Sequence, residues 1–208
     1  SMVITLVDNT APNVTYPESI MQSEPYAVEI TDDLSGVDKV KIEINGKTYN
    51  TTEIDDLILP IGTHDVSITV SDKAGNIGEI SYKLTVKIAV DDFSNVLSKA
   101  NLLGLINSAN YDKIIAPLNN VLANRYNAEK AAAYLDTMKS EVEAASSGIN
   151  AEFKDILLSN IAYLKNLYLS GNANEAAGAT SFKFDFGSGN VVEGYTQVLT
   201  TTIYTPQL

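Results

Sequence analysis

The run ISYKLTVKIAVDDFSNVLSKA, residues 80–100, changes period half-way. Through Ile80, Tyr82, Leu84 and Val86 the apolar residues fall on every second position, with Ser81, Lys83 and Thr85 between them. That is a strand with one buried and one wetted face. From Phe93 the spacing becomes Phe93, Val96, Leu97, Ala100, then Leu103 and Ile106, which is one face of a helix. Asp91 and Asp92 stand at the change, where acidic groups favour a helix N-terminus. The chain is therefore read as β before this point and α after it.

Upstream, the alternation recurs at Tyr26, Val28 and Ile30, at Val40, Ile42 and Ile44, and at Val66, Ile68 and Val70. Turn signals separate the runs. Asn45-Gly46 predicts a type I′ hairpin, because both central residues need positive φ. Leu34-Ser35-Gly36 and Lys73-Ala74-Gly75-Asn76 mark further turns. About seven short strands at this spacing predict an antiparallel β-sandwich over residues 1–89.

Downstream, a second helix carries Tyr111, Ile114, Ile115, Leu118, Val121 and Leu122, with Pro117 predicting a kink or a nearby start. A third, over 128–146, has Asn127 as N-cap, Gly148 as its stop and a seam of Ala131, Leu135, Met138, Val142 and Ala145. A fourth, over 151–169, has Asn150 as N-cap, Gly171 as its stop and a stripe including Phe153, Ile156, Leu157, Ile161, Leu164 and Leu167. Four amphipathic helices on short turns must bury their stripes together, so residues 90–171 are read as a four-helix bundle. Residues 172–181 read as a polar linker. After it Phe182, Phe184 and Phe186 alternate again, and 182–208 reads as the truncated start of a further β domain. The expected fold class is thus multidomain β plus α.

Composition narrows function. The net charge is −12, with 14 acids against 6 bases over 1–90 and no cluster of Lys or Arg, so nucleic acid is not an expected partner. No Cys is present, which removes thiolate catalysis, disulfides and Cys-based zinc. No apolar run reaches the ~18 residues of a membrane span. His64, the only histidine, follows a Gly at the start of a strand and is read as structural. Without a second histidine the helices hold no Glu-x-x-His di-iron set. If the 32–36 and 72–76 turns share one end of the sandwich, Asp32, Asp33, Asp72 and the Asn76 amide could converge as oxygen ligands for Ca²⁺. The alternative is that these side chains only close their own turns. No other cofactor is expected.

Three segments resemble known families. Asp8-Asn9-Thr10-Ala11-Pro12, Asp33-Leu34-Ser35-Gly36-Val37, Ile44-Asn45-Gly46, Gly62-Thr63-His64-Asp65 and Ser71-Asp72-Lys73-Ala74-Gly75-Asn76 resemble bacterial Ig-like domains over about 8–87. That resemblance implies an Ig-like fold in an extracellular or cell-surface spacer. Ala131-Ala132-Ala133-Tyr134-Leu135, with Ile156-Leu157-Leu158 and Ala162-Tyr163-Leu164, is weakly similar to the FIMAH helical module of carbohydrate-active enzymes, over about 91–170. Lys183-Phe184-Asp185-Phe186-Gly187-Ser188-Gly189 and Glu193-Gly194-Tyr195-Thr196-Gln197-Val198 resemble the opening of rhamnogalacturonan acetylesterases, ahead of their SGNH-hydrolase domain. The triad residues of that family lie beyond this opening. Together the resemblances imply non-catalytic accessory modules of a secreted pectin-acting enzyme, a carbohydrate esterase or a polysaccharide lyase. The expected partners are neighbouring domains and plant cell-wall polysaccharide. A carbohydrate-binding module and an adhesin spacer are the alternative readings.

Overall fold

The computed structural model describes residues 7–178, together with the backbone of 184–185 and 196–197. The chain is mixed β and α, and the change of type falls where the period changes. Nine strands come first: β1 (Asn13–Thr15), β2 (Ser19–Met21), β3 (Tyr26–Ala27), β4 (Glu29–Thr31), β5 (Val37–Ile44), β6 (Lys47–Tyr49), β7 (Glu53–Ile54), β8 (Gly62–Asp72) and β9 (Ile77–Lys87). Helices α1 (Val90–Leu102), α2 (Ser108–Ala123), α3 (Ala128–Ala144), α4 (Ala151–Leu169) and α5 (Ala173–Ala176) follow. A short parallel pair, β10 (Phe184–Asp185) and β11 (Thr196–Gln197), comes last. The rest of the β segment expected over 182–208 lies outside the described residues.

A five-stranded sheet, ordered β2-β9-β8-β5-β6, forms the larger part of the β region, and the ladders β1-β4 and β3-β7 accompany it. Antiparallel pairing joins β5, β8 and β9, while β2 runs parallel to β9. The register aligns Ile42 with Ile68 and Val66 with Tyr82, so the even-numbered residues of β5, β8 and β9 share the inner face. Ile42, Ile44, Val66, Ile68, Val70 and Leu84 are buried there, in one core with Tyr26 and Ile54 of the β3-β7 ladder and with Val28 between β3 and β4. Asn45 and Gly46 both have positive φ, 49° and 82°, as the type I′ turn between β5 and β6 requires.

The helices surround a second core. Phe93 and Leu97 of α1, Ile114 and Leu118 of α2, Leu135 and Met138 of α3, and Leu157 and Leu164 of α4 are buried together. Each of α2, α3 and α4 begins with an asparagine whose side chain accepts an N–H three residues on: Asn107 from Asn110, Asn127 from Lys130 and Asn150 from Phe153. These bonds satisfy a donor that the first helical turn would otherwise leave open. Pro117 is buried inside α2, which starts nine residues before it and is continuous over 108–123. Pro117 gives up the N–H that would bond one turn back and sets its ring against the carbonyl there, and packing of Ile114, Leu118 and Val121 in the helical core holds the helix through it. The stretch read as a polar linker differs from expectation. Residues 173–176 are helical, and Ala176 and Ala177 are buried. Small side chains let this turn lie close against the β9–α1 connection: a Cβ built on Gly178 would sit 3.1 Å from Ala89 Cβ. No helix among the described residues is long and apolar enough to cross a membrane.

Candidate functional site

Two polar constellations stand out among the described residues, at opposite ends of β8. The eleven residues of β8 separate them by roughly 35 Å at ~3.3 Å per residue.

At the end far from the helices, Asp8, Asp32 and Asp72 bring carboxylate oxygens within 4.8 Å of one another. Asp32 and Asp72 meet because the 32–36 and 72–76 turns flank paired strands, with Val37 opposite Asp72. Asp33 is not in the cluster; it is exposed on an adjoining groove with Asp8, Thr10 and Asp32. Asn76 is there as a donor. Its backbone N–H donates to Asp72 Oδ1 at 2.8 Å, and its Nδ2 donates to Asp72 Oδ2 at 2.7 Å and to the Asp8 carbonyl at 3.2 Å. Asp8 is the member that sequence reasoning missed. Its Oδ1 accepts from Thr10 N and its Oδ2 from Ser35 N, both at 3.0 Å. Asp32 Oδ1 accepts from the N–H groups of Leu34 and Gly36.

These bonds set the charge state. The Ser35 side chain and Thr10 N–H hold the Asp8 carboxyl below its ordinary value, against burial and the neighbouring Asp72 charge. At Asp72 burial pulls upward, but the Asn76 side chain and backbone, with Ser35 and Gly75, outweigh it and leave the group lowered. Both acids thus hold their folded values below the unfolded 3.8. The stability they contribute is complete above the unfolded value and is lost as pH falls through the folded ones. The protection factors of the amides at residues 33–36 and 75–76, relative to intrinsic exchange at each pH, are therefore expected to fall below about pH 4. Unchanged protection down to pH 2 would remove the carboxylates from turn closure.

Three carboxylates at this spacing are hard oxygen donors of the kind Ca²⁺ takes. The same oxygens already receive turn N–H groups, and that role predicts no change in melting midpoint with millimolar CaCl₂. A rise would assign the cluster to the cation.

His64 is buried. Its Nε2 lies 2.7 Å from the Pro60 carbonyl, which can only accept, so Nε2 carries the hydrogen and Nδ1 accepts from Asn45 Nδ2 at 2.7 Å. Both ring nitrogens are committed to holding the 60–64 approach against the β5–β6 turn.

The second constellation joins the β region to the helices. Only residues 88–89 separate β9 from α1, and both are buried. Gln22, 1 % exposed, donates Nε2 to the Leu59 carbonyl at 2.7 Å. Its Oε1 accepts Asn160 Nδ2 at 2.6 Å, and Asn160 lies fully buried in mid-α4. Asp92, in the first turn of α1, accepts from Ser23 Oγ through Oδ1 and from Ser23 N through Oδ2. Two turns along, Lys99 donates to the carbonyls of Leu57 at 2.9 Å and Ser23 at 3.3 Å. Burial raises the Asp92 carboxyl, opposed by the Ser23 bonds, and burial lowers the Lys99 ammonium, opposed by Asp55, Asp56 and Asp92. Leu57 belongs to the β core, while Ile58 and Ile61 pack against the helical core. The 57–61 segment thus spans both interiors.

No family model matches this chain, and no curated protein matches it. Among solved structures, an endo-β-1,4-mannanase from Thermotoga petrophila is similar with a TM-score of 0.30 and 12 % identity. The match covers 38 % of this chain and a fifth (20 %) of that one, and a likeness at this score bears on neither fold nor function.

Proposed function

We propose that the chain is a non-catalytic, rigid spacer of a secreted polysaccharide-acting protein: an Ig-like β-sandwich fused to a four-helix bundle. Outside the cell it holds neighbouring domains of the same polypeptide at a set distance and orientation. The carrying observation is the junction, where a buried two-residue link and a buried polar network bind the two regions together. A flexible tether between regions would need an exposed, polar connection instead. Stiffness matters because a catalytic domain fixed near an insoluble substrate works at a raised effective concentration, with no chemistry in the spacer itself. The commitment of His64 to Asn45 and Pro60 supports a role without catalysis.

Deleting residues 8–170 from the parent protein is expected to leave turnover of soluble pectin fragments unchanged and to reduce turnover of intact plant cell walls. Equal loss on both substrates would end the spacer reading.

A further inference from the structure

The sequence holds one Asn-Gly step, Asn45-Gly46, and the fold sets it at the β5–β6 turn, with Ile44 opposite Lys47. That step carries chemistry of its own. With no Cβ at position 46 to shield it, the Gly46 nitrogen can attack Asn45 Cγ. A bond forms between them, the Cγ–Nδ2 bond breaks, and Nδ2 leaves as ammonia. The proton lost by the Gly46 nitrogen and the proton gained by Nδ2 balance through water. A second water opens the five-membered imide at one of its two carbonyls and leaves aspartate or isoaspartate. The sum is amide plus water giving acid plus ammonia, and no other reagent is needed.

The closed turn opposes each part of that step. Asn45 has φ 49°, in the left-handed region, where ψ is about +30 to +60°. Ring closure needs Asn45 Cβ and the Gly46 nitrogen eclipsed about the Cα–C bond, which this ψ forbids. The Asn45 N–H donates to the Asp65 carbonyl at 3.0 Å and holds the main chain against β8. Asn45 Nδ2, the leaving nitrogen, donates to His64 Nδ1 at 2.7 Å. The Pro60 carbonyl takes the hydrogen of Nε2, so Nδ1 has only a lone pair and offers the leaving group no proton. What the turn lacks is depth. β6 has three residues, all at the edge of the sheet, and a short edge strand opens locally far below the cost of global unfolding.

We propose that Asn45 is a self-modification site and that His64 is the positioning residue that keeps it shut, so that conversion proceeds only through opening of the β5–β6 turn. This role is independent of the spacer reading. The change is one-way. Isoaspartate routes the main chain through an extra CH₂ in a two-residue turn and moves Ile44 off register with Lys47. Either product also sets a carboxylate against Nδ1, acceptor facing acceptor.

The test is incubation of the full chain at mildly alkaline pH, native and in urea, followed by digestion and mass-spectrometric measurement of aspartate and isoaspartate at position 45. In urea Asn45 should convert faster than every other asparagine, and in the native chain at least about tenfold more slowly than in urea. His64→Leu removes the acceptor and should recover much of that rate, judged against parent chain brought to the same stability with urea. His64→Asn, whose Oδ1 falls near the place of Nδ1, should stay protected. Equal rates in native and unfolded chain would overturn the proposal without recourse to any variant, as would a faster asparagine elsewhere in urea. So would a His64→Leu rate no higher than that of the stability-matched parent. Equal acceleration in both His64 variants would reduce His64 to packing and overturn it as well.

Discussion

Gly148→Ala is expected to destabilise the chain by about 3 kcal/mol, a drop in melting midpoint of roughly 6–12 °C. Two costs act at one atom. Gly148 has φ +80°, where an L side chain loses about 1–2 kcal/mol. Its added Cβ would also stand 2.1 Å from Asn107 Nδ2 and 2.8 Å from Asn110 Nδ2. Asn107 is the N-cap of α2, and Asn110 Nδ2 donates to the Ser147 carbonyl, so moving them opens the helix start and its tie to the α3–α4 turn. Losing such a cap costs about 1 kcal/mol. Gly171→Ala is the control. It has a similar φ, +85°, and a Cβ there meets nothing within 4 Å. Its loss should be about half as large. Equal losses at both glycines would show that the contact with Asn107 contributes nothing.

Asn160→Leu should cost about 2 kcal/mol, because it leaves the buried Gln22 carbonyl oxygen without a donor while keeping the side-chain volume. Gln22→Leu alone strands Asn160 and releases the Leu59 carbonyl. The double variant should therefore lose less than the two single losses together, since neither side chain then leaves the other's buried amide unpaired. The readout is chemical denaturation followed both by far-UV helicity and by the backbone amide signals of β8 and β9. The two probes should coincide in the parent chain and separate in Asn160→Leu, with the β signal moving first. Strict additivity, or coincident curves in every variant, would mean that this amide pair does not couple the regions.

The alternation at Ile42 and Ile44, the helical stripe at Phe93, Val96 and Leu97, and the caps at Asn127 and Asn150 were legible because each is a local rule. Side-chain direction repeats every two or 3.6 residues, and a cap satisfies a donor three residues away. The junction was not legible, for the opposite reason. Gln22 and Asn160 are 138 positions apart, and in the sequence Asn160 is one polar residue beside an apolar stripe, with nothing to mark it as buried. Asp92 was read only as a charge suited to a helix N-terminus, a role that does not reveal its bonds to Ser23. The candidate cluster was half legible. Shared turn geometry brought Asp32 and Asp72 together, whereas Asp8 comes from the chain before β1; its Asp8-x-Thr10 turn was the available clue. Residues 173–176 were missed because Ala and Asn at short range suit a loop as well as a helix, and only burial against the junction decides between them.

The pairing of β2 with β9 bears on how the molecule carries a mechanical load. β2 lies early in the chain and β9 immediately precedes the helices, and the two run side by side in the same direction, from Ser19 beside Thr85 to Met21 beside Lys87. Tension applied between the early chain and the helical region drags these strands past each other in opposite senses. Their hydrogen bonds, with those from Thr85 to Glu18 and from Gln22 to Lys87, are then strained together in shear rather than unzipped one at a time. A domain anchored at one end and pulled at the other would yield abruptly at high force.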